Sequence, residues 1–193
     1  MTGRRLWIAI AAIAAAQTAV LGWMLADRMT LLRGGREIVL DVEPVDPRSL
    51  FQGDYVVLGY GNLNRINGIP VPAEKMPADS DMNGRPYYVT LAKSAAGTWD
   101  KVAGGFDKPA SVAPDQVMLA GRISGYWSNT DGGNAIVNYG IESWFVSEGQ
   151  GHGIEDSARE KKLQVLVAVD TSGHAAIKGL VLDGKTVLTE PLL

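Results

Sequence analysis

A chain of 193 residues, 46% hydrophobic and 20% charged, is long enough for one domain with a sizeable core. Its net charge of −3, without any run of lysine or arginine, excludes the clustered phosphate contacts that nucleic-acid binding demands. The absence of cysteine removes disulfides, thiolate metal sites and cysteine nucleophiles, and it fits a reducing cytosol and a periplasm equally.

The first element is apolar. From Leu6 to Ala26 the run LWIAIAAIAAAQTAVLGWMLA contains no charged residue. As a helix rising about 1.5 Å per residue it covers roughly 30 Å, the thickness of the hydrocarbon core of a bilayer. Trp7 and Trp23 sit near its ends, where amphipathic rings favour the interface. A cleavable signal peptide has a shorter apolar core followed by an A-x-A-like site. Here the small residues lie mid-segment and the run ends Trp-Met-Leu-Ala-Asp-Arg. Residues 1–27 are therefore expected to form an uncleaved transmembrane signal anchor, in contact with the lipid bilayer through residues 6–26. Arg4 and Arg5 before it nearly balance Arg28, Arg33 and Arg36 after it. The layout of a short basic tail, one apolar segment and a large domain is that of an anchor that exports its C-terminal part, so the domain is expected to be extracytoplasmic.

Residues 28–35 read as a juxtamembrane linker ending in Gly34-Gly35, and 36–193 as a single β-rich domain. The stretch Glu37 to Glu43 alternates, with Ile38, Leu40 and Val42 set to face a core and Glu37, Asp41 and Glu43 to face water. Pro44 ends it. Asp46-Pro47 carries a helix-start signal for one turn over Arg48 to Gln52, which Gly53 can break at positive φ. Tyr55 to Tyr60 resumes as a strand, apolar on both faces and so expected to be interior. Gly61 to Pro86, rich in Asn, Pro, Asp and Gly, predicts a long surface excursion with a helical turn near Ala73 to Met76.

Strand-like runs then recur at Tyr87–Ala92, Trp99–Ala103, Val117–Ser124, Ala135–Ile141, Trp144–Val146, Leu163–Asp170, Ala175–Leu182 and Lys185–Thr189. Turn signals divide them at Ala96-Gly97, Asp131-Gly132-Gly133-Asn134, Ser172-Gly173 and Asp183-Gly184, and the last three runs suggest a meander. Glu155 to Lys162 predicts a short helix, acidic at its start and basic at its end. The fold class expected is mainly β, with one N-terminal transmembrane helix followed by a single antiparallel β-barrel or sandwich domain containing one short helix.

Chemistry concentrates in two places. Asp46, Arg48, Gly53, Asp54, Tyr55 and Tyr60 gather two carboxylates, a guanidinium and two phenols around one turn. That group suits a ligand corner or a docking site, and equally a capped turn whose charges satisfy backbone donors. The second place, YGIESWFVSEGQGHGIED from Tyr139 to Asp156, offers Glu142, Glu148 and His152. Glu142 and Glu148 would lie about 20 Å apart on an extended strand, too far to share a proton. His152 with Glu148, Glu155 and Asp156 is the pattern of many solvated glycine loops, so no metal and no cofactor is expected. Trp99, Tyr126, Trp127, Trp144 and Phe145 could stack sugars or lipid headgroups, although packing is the commoner use of aromatics. No catalytic set stands out.

The block VDPRSLFQGDYVVLGY, Val45 to Tyr60, resembles the signature of the GDYXXLXY protein family, with Gly53, Asp54, Tyr55, Leu58 and Tyr60 on its five fixed positions. The resemblance extends in order and spacing from the anchor through the Glu148 region. It implies a bacterial inner-membrane, single-pass protein of the envelope. It further implies a non-enzymatic interaction or accessory module docking on a multi-span membrane-protein partner. The alternative is a carboxylate-based hydrolase or small-ligand enzyme. SLFQGDYVVL also resembles the part of membrane-anchored signal peptidases that leads from the nucleophile into a Gly-Asp strand. Val45 stands where those enzymes keep their serine, so a Ser-Lys mechanism lacks its nucleophile.

Overall fold

The computed structural model describes residues 3–43, 55–69, 82–95, 97–129, 132–145, 163–182 and 184–189. One helix, α1 (Gly3–Gly34), precedes strands β1 (Arg36–Asp41), β2 (Tyr55–Val57), β3 (Arg65–Ile69), β4 (Pro86–Lys93), β5 (Trp99–Gly105) and β6 (Gln116–Asn129). β7 (Gly132–Asn138), β8 (Ser143–Phe145), β9 (Leu163–Val169), β10 (Ala175–Leu182) and β11 (Lys185–Thr189) complete the described elements.

The helix is long and apolar enough to cross a membrane, and none of its apolar window is buried by the rest of the chain. It does not stop at the apolar run. The stretch marked as a linker is helical through Gly34, because nothing between Asp27 and Arg33 breaks a helix and the first glycines come only at its end. The Gly35 N–H closes it on the Leu31 carbonyl at 2.9 Å. Leu32, only 4% exposed, seats this last turn, and α1 packs against β9 and β10. A Cβ on Gly35 would lie 2.6 Å from the Leu31 oxygen and 3.0 Å from the Ala168 methyl, so glycine is what lets helix and sheet meet.

Among the described residues three antiparallel sheets form an open half-barrel. The first runs β1-β9-β10-β11, and its last three strands are the meander expected. Its alternation is the one read in the sequence: Ile38 stands opposite Val167 and Leu40 opposite Val165, all buried. The second runs β3-β7-β6-β4-β5, with Val89 opposite Leu119 and Leu91 opposite Val117 on its inner face. Both inner faces contribute to one hydrophobic core. Register shifts between Ile123 and Gly125 and between Ile177 and Gly179 bend the long strands toward closure. The Ala120 N–H donates to the Gly173 carbonyl at 2.8 Å, linking β6 to the β9–β10 turn.

The third sheet is the two-stranded ribbon β2-β8, and it corrects one expectation. Tyr55 to Tyr60 is not one continuous strand. Among the described residues only Tyr55–Val57 is extended in a ladder, paired with β8, and Gly59 makes an isolated bridge to Glu43. Leu58 and Tyr60 continue on one face of the segment and are buried in the core, with Val57 and Gly59 between them only partly buried. The excursion from Gly61 likewise contains a strand, β3, at the edge of the five-stranded sheet, hidden by Asn67 and Gly68. Gly132 to Asn134, marked as turn, belong to β7. The turns at Arg48–Gln52 and Ala73–Met76 and the helix at Glu155–Lys162 lie outside the described residues.

Candidate functional site

The end of the Val45–Tyr60 block and the region after Tyr139 form one hydrogen-bonded unit. β2 and β8 pair Tyr55 with Phe145, Val56 with Trp144 and Val57 with Ser143. Directly beyond, the Leu58 N–H donates to the Glu142 carbonyl at 2.8 Å, and the Leu58 side chain is 2% exposed. Tyr60 is 3% exposed and donates its hydroxyl to the Ile141 carbonyl at 2.5 Å. The Glu43 N–H donates to the Gly59 carbonyl at 2.8 Å, which fastens the segment to the end of β1 as well.

Asn64 knits the other side. Its Oδ1 accepts the Tyr60 N–H at 2.8 Å, while its amide donates to the Val137 carbonyl at 2.9 Å and to Glu142 Oε1 at 3.2 Å. Glu142 receives two further donors, the N–H of Tyr139 on Oε1 at 2.6 Å and of Gly140 on Oε2 at 2.9 Å. Tyr139 in turn donates its hydroxyl to the Leu63 carbonyl at 2.8 Å. Burial, and secondarily the Glu142 charge, hold the Tyr60 phenol well above its usual range. Burial, then Tyr87 and Glu142, do the same for Tyr139. Both phenols therefore stay protonated and act as donors. The Glu142 carboxylate serves here as the cap of a tight turn, its oxygens taken up by amide donors.

Of the residues singled out in the sequence, Tyr60 and Glu142 are thus brought together, and Tyr55 lies at the start of β2. Asp46, Arg48, Gly53, Asp54, Glu148 and His152 lie outside the described residues. Asn64 and Tyr139 were missed, although a buried tyrosine always raises the question of where its hydroxyl goes. Among the aromatics, Trp99 and Tyr126 are buried, Trp144 is half-buried, and Trp127 and Phe145 are exposed, Phe145 to 78%. Among the described residues no group of three or more His, Asp or Glu side chains is placed to hold a metal.

The model of the family described as GDYXXLXY protein matches residues 17–180, most of the chain. The chain belongs to the GDYXXLXY family. No curated protein and no solved structure matches it. The matched region begins within α1 and ends in β10, so the ribbon, the five-stranded sheet and all of the four-stranded sheet but the end of β10 and β11 fall inside one GDYXXLXY unit. Two of the five fixed positions of the signature, Leu58 and Tyr60, are interior and join the motif to residues 141–142.

Two hollows flank the larger sheets. One, of about 750 Å³, lies at the foot of α1 between Asp27, Thr30 and Leu31 and the loop at Lys108–Val112. Its charges are mixed, Asp27 and Asp170 with Arg36 and Lys108. Arg36 is committed to the structure, donating to the carbonyls of Pro114 at 2.6 Å and Gln116 at 3.0 Å while its guanidinium lies 5.0 Å from the Trp99 ring centre. The other hollow, of about 740 Å³, opens on the outer face of the five-stranded sheet.

Proposed function

We propose that this GDYXXLXY protein is a non-enzymatic accessory module of the bacterial envelope, anchored in the inner membrane by α1 and docking on a multi-span membrane protein through the β2–β8 ribbon. The observation that carries the docking surface is the contrast along the ribbon. At one end Leu58 and Tyr60 are locked into the core; at the other Phe145 holds a large apolar ring 78% exposed opposite Tyr55 of the signature. A large aromatic ring is the kind of side chain that dominates interface energies, because it buries much apolar area for the loss of only two side-chain torsions.

Anchoring is supported by α1 itself. Trp7 and Trp23 are each 72% exposed, and the apolar side chains between them pack on nothing in the chain, a surface that water does not tolerate and lipid does. Arg4 and Arg5 precede α1 and the large domain follows it, the layout of an anchor that exports its C-terminal part, which favours an extracytoplasmic domain.

A photo-crosslinking residue placed at Phe145 in cells tests the docking surface, with the same residue at Val102 on β5, 56% exposed, as the control. A discrete adduct to one multi-span membrane protein from position 145 and none from position 102 is expected. Equal labelling from both positions, or adducts from neither, would sink the assignment of the ribbon.

A further inference from the structure

We infer that the hollow on the outer face of the five-stranded sheet is a binding site for a soluble organic anion bearing carboxylate or phosphate groups. Three separate pieces of chain build it. On β6, Leu119 and Ile123 point into the core, so Ala120, Arg122 and Ser124 face outward; on β4, Tyr87 and Val89 point inward, which turns Tyr88 outward beside them. The rim comes from the other large sheet, as the β9–β10 turn brings Ser172 and His174 over the edge of β6. That turn rests directly on the strand: Gly173 has a φ of +93°, and a Cβ there would lie 2.9 Å from the Ala120 nitrogen and 2.9 Å from the end of the Met118 side chain. The loop carrying Lys108 closes a third side.

The chemistry of this lining is one-sided. In a chain of net charge −3, neither Asp nor Glu lines the hollow, whereas Lys108 and Arg122 both do. The Lys108 ammonium has no ion-pair or hydrogen-bond partner among the described residues. Arg122 donates one Nη1–H to the Gly84 carbonyl at 2.9 Å, which aims the guanidinium and leaves the rest of its donor fork open. Ser124 donates toward the Ile136 carbonyl and Asn138 Oδ1, each at 3.3 Å, so the Asn138 amide N–H groups remain available. His174 turns Nδ1 to Asp170 Oδ2 at 3.2 Å and keeps Nε2 for another partner.

Cations, amide donors and the half-buried Tyr88 ring together suit a negatively charged group attached to an apolar body. The volume of about 740 Å³ exceeds what a lone inorganic anion fills. No α1 residue lines it, in contrast to the hollow at the helix foot, which favours a soluble ligand over a lipid headgroup.

Isothermal titration of the full chain in phosphatidylcholine nanodiscs, with citrate and with pyrophosphate as separate probes, tests the site. Saturable binding of at least one probe is expected, and Lys108→Glu and Lys108→Ala with Arg122→Ala should each weaken it by about tenfold or more. Lys185→Ala, which removes a charge elsewhere, should leave it unchanged. The Lys108 variant carries the test alone if loss of the Arg122–Gly84 bond unfolds the double variant. No binding of either probe, or equal binding by wild type and Lys108→Glu, the mark of an adventitious ion only, would overturn the site. If nanodiscs containing phosphatidylglycerol abolish binding of the probe, the hollow takes a lipid headgroup and the soluble-ligand assignment fails.

Discussion

Tyr60 and Tyr126 are both buried, but their hydroxyls are placed differently. Tyr60 donates to the Ile141 carbonyl at 2.5 Å, whereas the Tyr126 hydroxyl has no hydrogen-bond partner among the described residues. Tyr60→Phe strands a buried carbonyl and is expected to cost about 1–3 kcal/mol. Tyr126→Phe removes an unsatisfied group and should change stability by no more than about 0.5 kcal/mol, or raise it. Urea unfolding of the two variants in one detergent checks both; equal losses would contradict the assignment. The raised phenol pKa values add a pH dependence with a definite sign. The unfolded tyrosines ionise near their usual 10.0, while folded Tyr60 and Tyr139 do not until well above it. Their contribution is fully present below about pH 10 and is lost as pH rises through the folded values. Stability above pH 10 should therefore fall more gently in Tyr60→Phe than in the parent chain. The signature made Tyr60 visible in the sequence, but Ile141 lies 81 positions away, a partnership that no local spacing encodes.

At the level of elements, period-2 alternation was a dependable guide wherever one face of a strand meets the core. β1 follows it, β4 and β9 follow it over their first halves, and β10 and β11 occupy the residues expected although the register shift in β10 interrupts its alternation. It failed where a strand is short or has a polar, glycine-bearing sequence, as in β3. The helix outran its apolar run because the charges of residues 27–33 end the apolar run without breaking the helix. Packing between strands sets limits equally invisible in sequence. A Cβ on Gly121 would lie 2.5 Å from Val137 Cγ1 and 2.8 Å from the Tyr139 ring, which carries the bond to Leu63. Gly121→Val should cost about 1–3 kcal/mol or more through overpacking, read as a lowered melting temperature, while Gly68→Ala meets no atom within 4 Å and is limited to the strain of its φ of +66°. A Gly121→Val protein as stable as its parent would contradict the packing of β6 on β7.

For the whole molecule, the absence of cysteine makes orientation directly measurable by single-cysteine labelling. A cysteine at Val102 should react with a membrane-impermeant maleimide added to cells with permeabilised outer membranes, and one at Arg4 should not; the reverse pattern would place the domain in the cytoplasm. The central claim, a tethered module that docks through its ribbon, is tested most directly by affinity purification from mildly solubilised native membranes. Wild type would be compared with Phe145→Ser, a change at an exposed site, with circular dichroism of both proteins verifying that the fold is kept. The account expects one stoichiometric multi-span membrane protein to accompany the wild type and to be lost from an equally folded Phe145→Ser protein. A chain that purifies alone in both forms, or a partner retained by both, would contradict it.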